Sequence, residues 1–282
     1  MKYGMNLLLW TDHLHDGLLP ILEQLKALGY DGVEVPIFDP RPELFIPWKK
    51  KLTDLGLACT AVAVRGAADN PISPDAKVRA LGVQNNKLTV DCCAAIGAET
   101  LLGPFHSAIG EFTGKGPTED EFKWGVESMR QVAEHAGQAN VRLACEYLNR
   151  FELYFLNCAA QMVRFVKAVD HPACGMMYDT FHANIEEKDI STAIRLAAPH
   201  LYHVHISEND RSTPGQGEIG WNETFNALHE VKYNGWLVVE AFGLALPGIS
   251  AATKIWRRMF DDEMQLAKEG LAFMKKEVGK RG

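Results

Sequence analysis

Few features of secreted, membrane-spanning or nucleic-acid-binding proteins occur in this 282-residue chain. Its six cysteines include no Cys-x-x-Cys pair and most lie in apolar runs, so we expect buried free thiols in a reducing cytoplasm. The apolar start of the chain is short and runs into polar residues, which argues against a signal peptide. No apolar run reaches the roughly 20 residues that span a bilayer. A net charge of −7 argues against nucleic acid or a membrane surface as the main partner.

The chain also lacks any linker, low-complexity tract or charge block that would divide it, and 47% of its residues are hydrophobic. Short apolar runs predict eight strands, at 3–9, 32–37, 58–64, 100–105, 143–148, 175–178, 201–206 and 236–241. Helical patterns follow them, at 18–28, 44–55, 74–96, 119–136, 158–169, 190–198, 223–231 and 253–277. This alternation predicts an α/β fold, a single (β/α)8 TIM barrel over residues 1–282 with a C-terminal helical extension. An open doubly wound sheet is the alternative, disfavoured because no Gly-x-Gly-x-x-Gly follows the first strand.

Local signals mark several helix boundaries. Gly29, Gly56 and Gly97 follow helical patterns, where glycine most easily adopts the left-handed cap. The stretch from Thr118 to Glu121, a hydroxyl cap with an acid three residues later, predicts a helix start. Ser73-Pro74 predicts another start, with proline at the first helical position.

Ligand-type side chains stand at the ends of predicted strands five to eight: Glu146, Asp179, His205 and Glu240. A single acid that closes a strand is more often a helix cap or a surface residue. Barrel strand ends, however, converge on one mouth, and close carboxylates need a cation to offset their repulsion. The set therefore predicts a divalent metal, and oxygen ligands with one imidazole suit Mn²⁺, Mg²⁺ or Co²⁺ better than structural zinc. We expect Asp179 and His182 where strand six passes into a loop.

Three stretches resemble the ketose 3-epimerases, the D-tagatose/D-allulose 3-epimerase group of the xylose-isomerase-like barrels. They are Glu146-Tyr-Leu-Asn-Arg-Phe-Glu152, Asp179-Thr-Phe-His-Ala-Asn-Ile-Glu-Glu187 and His203-Val-His-Ile-Ser-Glu-Asn-Asp-Arg211. Pro214-Gly-Gln-Gly217 with Trp221, Val239-Glu-Ala-Phe242 and Ile255-Trp-Arg257 extend the likeness over nearly the whole chain.

The resemblance implies one divalent metal, Mn²⁺ first and Co²⁺ or Mg²⁺ as alternatives, held by Glu146, Asp179, His205 and Glu240. It also implies that Glu146 and Glu240 are the acid/base pair on opposite faces of a free ketose. Inverting C3 requires one carboxylate to remove a proton beside the carbonyl and another to return it, through a metal-stabilised cis-enediolate.

Further residues would surround the sugar. The resemblance implies that Glu152, His182 and Arg211 hold the substrate's hydroxyl and carbonyl oxygens. Glu34 resembles a mouth residue of these barrels, although a structural hydrogen bond is an equal interpretation. Aromatic side chains offer an apolar wall, with core packing at least as probable for each: Trp10, Phe38, His106 and Phe242.

Two departures from the family bear on specificity. Asn6 stands where an aromatic residue is common, and the Ala108-Ile109 region stands where a tryptophan occurs in several members. We expect both to lie at the far end of the sugar and to allow more than one ketose, including ketopentoses.

Other functions remain open at this stage. An aldose–ketose or hydroxypyruvate isomerase would need the same metal, and a non-catalytic sugar-binding barrel would not need two glutamates. An abasic-site endonuclease would use His106 as well, but its DNA partner conflicts with the acidic charge. The Gly215–Gly217 turn is a candidate phosphate cradle. We expect a cytoplasmic homodimer or homotetramer that binds a free monosaccharide ketose and neither nucleic acid nor membrane.

Overall fold

Eight parallel strands close into a barrel in the computed structural model, which describes residues 1–281. They are β1 Lys2–Asn6, β2 Gly32–Pro36, β3 Ala58–Val62, β4 Thr100–Gly103, β5 Arg142–Cys145, β6 Cys174–Asp179, β7 Leu201–Ile206 and β8 Trp236–Val239. Each strand pairs with its sequence neighbours, and β8 pairs with β1 from Lys2 opposite Trp236 to Met5 opposite Val239. The predicted TIM barrel is confirmed.

Helices surround this barrel. They are α1 Leu19–Leu28, α2 Ile46–Leu55, α3 Ala76–Ile96, α4 Glu119–Gln138, α5 Ala159–Val169, α6 Thr180–Glu186, α7 Ile190–Ala197, α8 Trp221–Glu230, α9 Pro247–Thr253 and α10 Glu263–Gly279. The last of these contacts β8, β1, α1 and α8, so it fills the outer position between α8 and α1. The single-domain assignment stays a prediction. Among residues 1–281, no helix has both the length and the apolar character to cross a membrane.

Most predicted strands extend too far at their carboxyl ends. The run at 100–105 ends as a strand at Gly103, which has φ +117° and whose added Cβ would lie 2.3 Å from the Ala63 carbonyl oxygen. Some apolar residues beyond such points, such as Val64 and Leu148, line the barrel mouth, and others, such as Phe105, pack in the core. Hydrophobicity alone therefore overestimates strand length at the end that carries the site.

The predicted helix signals have mixed outcomes. Gly29, Gly56 and Gly97 are left-handed caps as expected. The capping box from Thr118 to Glu121 is also present, since each residue's side chain accepts from the other's backbone N–H. The start at Ser73-Pro74 is wrong: α3 begins at Ala76, because the Asp75 carboxylate accepts from the backbone N–H of Lys77.

Two other expectations are corrected. The continuous helix predicted over 253–277 is broken, because Lys254 adopts a left-handed φ of +62° that ends α9, and Asp262 caps the separate α10. The loop expected after Asp179 is instead the short helix α6. The Asp179 carboxylate accepts from the backbone N–H of Phe181 at 2.6 Å, so a residue predicted as a ligand is also a helix cap.

The cysteines match expectation closely. All six are free thiols, and five are buried, while Cys158 before α5 is half-buried. Burial raises the pKa of Cys59 to about 12 and that of Cys92 to about 12, so both stay protonated at neutral pH.

Candidate active site

The side chains at the ends of β5 to β8 are all buried at one mouth of the barrel. Glu146 directly follows β5, Asp179 ends β6, His205 lies in β7 and Glu240 directly follows β8. The backbone N–H of Glu146 donates to the Gly103 carbonyl, and that of Glu240 donates to the Ile206 carbonyl. The last backbone hydrogen bonds of the barrel sheet therefore hold the main chain of both glutamates, which fixes the positions of their Cα atoms.

Ligand atoms of these residues lie close together. Oxygen or nitrogen atoms of Asp179, His205 and Glu240 all fall within 4.8 Å of one another, and those of Glu146, Asp179 and His182 do the same. The Nδ1 atom of His205 is 3.4 Å from Asp179 Oδ2 and 3.4 Å from Glu240 Oε1. Within the described chain, this buried Nδ1 has no hydrogen-bond partner.

This arrangement fits a divalent metal. A buried ring nitrogen without a partner, next to two carboxylates, is a donor that metal coordination would satisfy. Asp179 belongs to both groups of neighbouring atoms. Five residues are thus close enough to hold an ion: Glu146, Asp179, His182, His205 and Glu240. The sequence-based set of Glu146, Asp179, His205 and Glu240 stays a prediction.

Burial and neighbouring charge separate the carboxyl groups. Burial, and then the nearby Glu240 and Asp179, raise the pKa of Glu146 well above its usual value. Burial also raises the pKa of Glu240, against the opposing charges of His205 and Arg211. Burial acts in the same direction on Asp179, but Arg211 and His205 outweigh it and hold its pKa below the usual value. The site therefore contains one firmly ionised acid and two that bind protons more readily.

Arg211 supplies the positive charge that balances these acids. Its Nη1 donates to Asp179 Oδ2 at 3.1 Å and to Glu240 Oε2 at 2.5 Å, and its guanidinium carbon lies 3.8 Å from the Phe181 ring centre. Its backbone has a φ of +63°, a left-handed conformation that is uncommon outside glycine. The turn at Arg211 thus directs the side chain inward between two carboxylates.

The loop after β5 positions two other predicted residues. The Asn149 side chain donates to Glu152 Oε1 at 2.8 Å, and its backbone N–H donates to Nδ1 of His182 at 3.1 Å. The Nε2 atom of His182 lies 2.9 Å from Nη2 of Arg211, which can only donate, and 3.7 Å from Glu146 Oε1. Burial and the charge of Arg211 lower the pKa of His182 to about 4, so the ring is neutral at pH 7.

A cavity of about 210 Å³ opens above this cluster. Its charged and polar lining residues are Glu146, Glu152, His182, Arg211, Glu240 and Thr253. Its apolar lining residues are Leu8, Phe38, Val62, Val64, Pro104, Ile109, Leu148, Phe242, Ile249 and Ala252. The cavity therefore combines acidic and basic groups with a mostly apolar lining, as small-molecule sites do.

The sequence left four side chains open between the cavity wall and the core, and the structure separates them. Phe38 and Phe242 line the cavity, whereas Trp10 packs on the core and His106 is buried against Phe155 and Phe165. The far-end position expected for Asn6 is wrong. Its Nδ2 donates to Glu34 Oε1 at 2.8 Å inside the barrel, because Asn6 lies opposite Glu34 in the β1–β2 ladder. Ile109 does line the cavity.

Other buried polar residues had received no role from the sequence. The Glu208 carboxylate accepts from the backbone N–H groups of Gly215 and Ile219 and from Nε1 of Trp221. The Gly215–Gly217 turn therefore surrounds an internal carboxylate rather than offering its amides as a phosphate cradle. His203 lies beside Glu34 with an Nε2–Oε2 distance of 3.0 Å. The acid seven residues before the glycine-rich turn was the available signal for Glu208.

The fold and this site define a class of protein. The family described as "Xylose isomerase-like TIM barrel" matches residues 22–277, and the chain belongs to it. Within that family it belongs to the ketose 3-epimerases, which are isomerases.

Individual relatives show how close the likeness is. The D-psicose 3-epimerase of Agrobacterium fabrum is 33% identical over 261 residues, covering 91% of this chain and 90% of that protein. The L-ribulose 3-epimerase of Mesorhizobium japonicum is 33% identical over 277 residues, covering 97% and 93%. A crystal structure of D-psicose 3-epimerase with D-tagatose, from Clostridium cellulolyticum H10, superposes with a TM-score of 0.90 at 30% identity, covering 99% of each chain.

Proposed function

We propose that the protein inverts C3 of free ketoses of the D-fructose/D-allulose, D-tagatose and L-ribulose type, with Glu146 and Glu240 as acid and base. The observation that carries this proposal is the placement of two buried glutamates. They follow strands five and eight, they border one cavity, and Asp179 and His205 lie on the strands between them. A ketose bound between β5 and β8 would present opposite faces of C3 to the two carboxylates.

Proton transfer at C3 requires carboxyl groups that both accept and release a proton. The raised pKa values of Glu146 and Glu240 favour that exchange, whereas the lowered pKa of Asp179 keeps it ionised. One glutamate takes the proton from C3, the other gives a proton from the opposite face, and the reverse reaction exchanges their roles. The product differs from the substrate only in the configuration at C3.

We propose that Glu152, His182 and Arg211 orient the ketose. All three line the cavity. Arg211 presents guanidinium N–H groups, His182 presents the neutral ring that lies beside them, and Glu152 presents a carboxylate oxygen that Asn149 leaves free. The guanidinium would hold the carbonyl oxygen or a hydroxyl oxygen, while the His182 ring and the Glu152 carboxylate would bind hydroxyl groups.

We propose that Glu146, Asp179, His205 and Glu240 hold one divalent metal, Mn²⁺ first and Co²⁺ or Mg²⁺ as alternatives. When bound, such an ion stabilises negative charge that develops on oxygen next to the carbon losing its proton. Asp179 would stay ionised to bind it, and His205 would offer the lone pair of Nδ1. The chain's part is to bring these donors together before substrate arrives.

The cavity favours unphosphorylated sugar. Glu146, Glu152 and Glu240 line it, and a phosphate dianion would be repelled by these acids. In the glycine-rich turn after β7, the backbone N–H of Gly215 already donates to Glu208 and that of Gln216 donates to the Thr213 carbonyl. We therefore propose a free monosaccharide as the substrate, consistent with the D-tagatose complex of the related D-psicose 3-epimerase.

The remote rival, a DNA endonuclease, loses a required ligand. His106 is buried between aromatic rings, and its Nε2 lies 2.7 Å from the main-chain oxygen of Glu146. Its ring is therefore bound to backbone and does not face the ligand cluster. An aldose–ketose isomerase, which uses the same metal and a similar proton transfer, is the rival that experiment must separate.

Turnover in D₂O tests the position of proton transfer. If Glu146 and Glu240 act at C3, deuterium should appear at C3 of the product ketose, with little at C1, as measured by proton NMR. Deuterium at C1 with an unlabelled C3, together with new aldose signals, would identify the aldose–ketose isomerase instead. A reaction with chelated protein is the control for exchange that occurs without the enzyme.

Substrate preference should respond to the apolar wall. Ile109 lines the cavity on the loop after β4, so Ile109→Ala removes apolar contact from one end of the sugar. We expect the ratio of kcat/KM for a ketohexose over a ketopentose to change about tenfold, with kcat for the preferred sugar changing less. Ile46→Ala, at an exposed isoleucine outside the cavity, is the matched control. An unchanged ratio in the Ile109 variant would contradict this role.

A further inference from the structure

Another buried carboxylate, that of Glu34, lies next to the proposed metal ligands but is not one of them. Glu34, in the middle of β2, is fully buried, and four side chains surround its two oxygens. Asn6 Nδ2 donates to it at 2.8 Å, Thr60 Oγ1 donates at 3.1 Å, and His205 Nε2 and His203 Nε2 lie at 2.9 and 3.0 Å.

Donors surround the Glu34 carboxylate, with Asn6 Nδ2 and Thr60 Oγ1 beside the two histidine rings, so its oxygens act as acceptors for the neighbouring ring. Its Oε1 lies 2.9 Å from Nε2 of His205, so that nitrogen carries the proton. The opposite nitrogen, Nδ1, is the atom that lies 3.4 Å from both Asp179 and Glu240. A ring rotated by half a turn would lose the bond to Glu34 and leave a buried carboxylate oxygen with one donor fewer.

Glu34 is also linked, through the Asn6 side chain, to a second proposed metal ligand, Glu240. Asn6 Nδ2, which donates to Glu34 Oε1, also lies 3.5 Å from Oε1 of Glu240. Meanwhile the Asn6 side-chain oxygen accepts from the backbone N–H of Leu8, so the amide cannot turn over without losing that bond. Glu34 on β2 is thus connected to ligands on β7 and after β8, across the interior of the barrel.

We propose that Glu34 is a positioning residue for the metal site: it holds the His205 ring with its proton on Nε2 and the lone pair of Nδ1 directed at the cation. This inference rests on the proposed metal site and assigns the residue that orients its only imidazole. Carboxylate–histidine–metal arrangements of this kind raise the basicity of the ligand and fix its orientation. A purely structural Glu34 would instead stabilise the barrel without affecting cation binding.

Glu34→Gln separates the two roles. It keeps the shape of the side chain but replaces a charged acceptor by an amide, which weakens the hold on Nε2. We expect Mn²⁺ affinity, measured by electron paramagnetic resonance of the free ion, to fall by about 10- to 100-fold. Glu121→Gln is the matched control, because Glu121 is a buried acid in the capping box of α4, outside the cavity. Its Mn²⁺ affinity should equal that of the wild type.

A second measurement needs no variant. In wild-type protein saturated with diamagnetic Zn²⁺ and labelled with ¹⁵N-histidine, we expect His205 to show a slowly exchanging proton on Nε2 and none on Nδ1. A proton on Nδ1 would overturn the proposal, as would unchanged Mn²⁺ affinity in a folded Glu34→Gln protein. The measurement on ¹⁵N-histidine-labelled wild-type protein still tests the proposal if the Glu34→Gln variant does not fold.

The outcomes distinguish this inference from the proposed reaction. Both readouts are made without turnover, so a wild type that binds Mn²⁺ through His205 but leaves C3 unlabelled in D₂O would contradict the epimerase proposal alone. Wild-type protein that binds no Mn²⁺ would contradict both.

Discussion

Removing divalent cations should abolish epimerisation, and Mn²⁺ or Co²⁺ should restore it. The expected loss is complete because the ion would supply the main positive charge for the oxygen beside C3, since Arg211 shares its own charge with Asp179 and Glu240. Activity toward a panel of free ketoses would be measured after exhaustive chelation and after adding back each ion. Full activity in protein shown to be metal-free by elemental analysis would contradict the proposed site.

A control on folding accompanies this experiment. Circular dichroism should show that the chelated protein remains folded, because Arg211 already offsets the charge of the buried acids.

The Mn²⁺ affinity of the protein should also rise with pH. Burial and neighbouring acids raise the pKa of Glu146, and the charges of Glu34 and Glu240 outweigh burial to raise that of His205. Protons must therefore leave these groups before the ion binds, and fewer must leave as the pH increases.

Glu146→Gln and Glu240→Gln should each lower kcat by at least about 10²- to 10⁴-fold, the usual contribution of an acid/base group, with any loss of metal binding in addition. Glutamine keeps the size of the side chain but neither accepts nor releases the C3 proton. Both variants would be assayed at saturating Mn²⁺, with Glu121→Gln as a matched buried-acid control. Full epimerisation by both glutamine variants would exclude the two-base mechanism.

The two variants need not fail in the same way. With one glutamate left, the enzyme should still exchange the C3 hydrogen of the epimer whose hydrogen faces that residue, without completing the inversion. Each variant should therefore label one epimer of a pair in D₂O and not the other. Glu240→Gln should also lower the thermal stability more than Glu146→Gln does, because it removes the charge that pairs with the buried Arg211 guanidinium at 2.5 Å.

The barrel was predictable because its pattern repeats. Each buried parallel strand is a short apolar run, and glycine caps such as Gly29 and Gly56 separate it from the helix before it. The errors fall where local chemistry overrides that pattern. Lys254 in a left-handed conformation divides a periodic stretch into α9 and α10, and the Asp179 side chain starts α6 where periodicity is too short to detect.

The candidate ligands were predictable for a different reason. Strand ends in a barrel share one mouth, so Glu146 and Glu240 could be brought together from their positions alone. Contacts across the barrel interior have no such rule. Glu34 meets His205, 171 positions away, and Asn6 meets both Glu34 and Glu240 only because of the register of β1 with β2 and β8. The sequence spacing of these residues carries no signal for that contact.

The candidate ligands and much of the apolar lining of the cavity belong to different parts of the fold. All four candidate ligands lie on strands or directly after them, whereas Ile109, Phe242, Ile249 and Ala252 belong to loops and to the short helix α9. A library of variants confined to the loop after β4 and to α9 would therefore leave the backbone of every barrel strand unaltered. Such a protein is able to evolve toward new sugars in small steps, since a change in what it accepts does not first require a change in how it reacts.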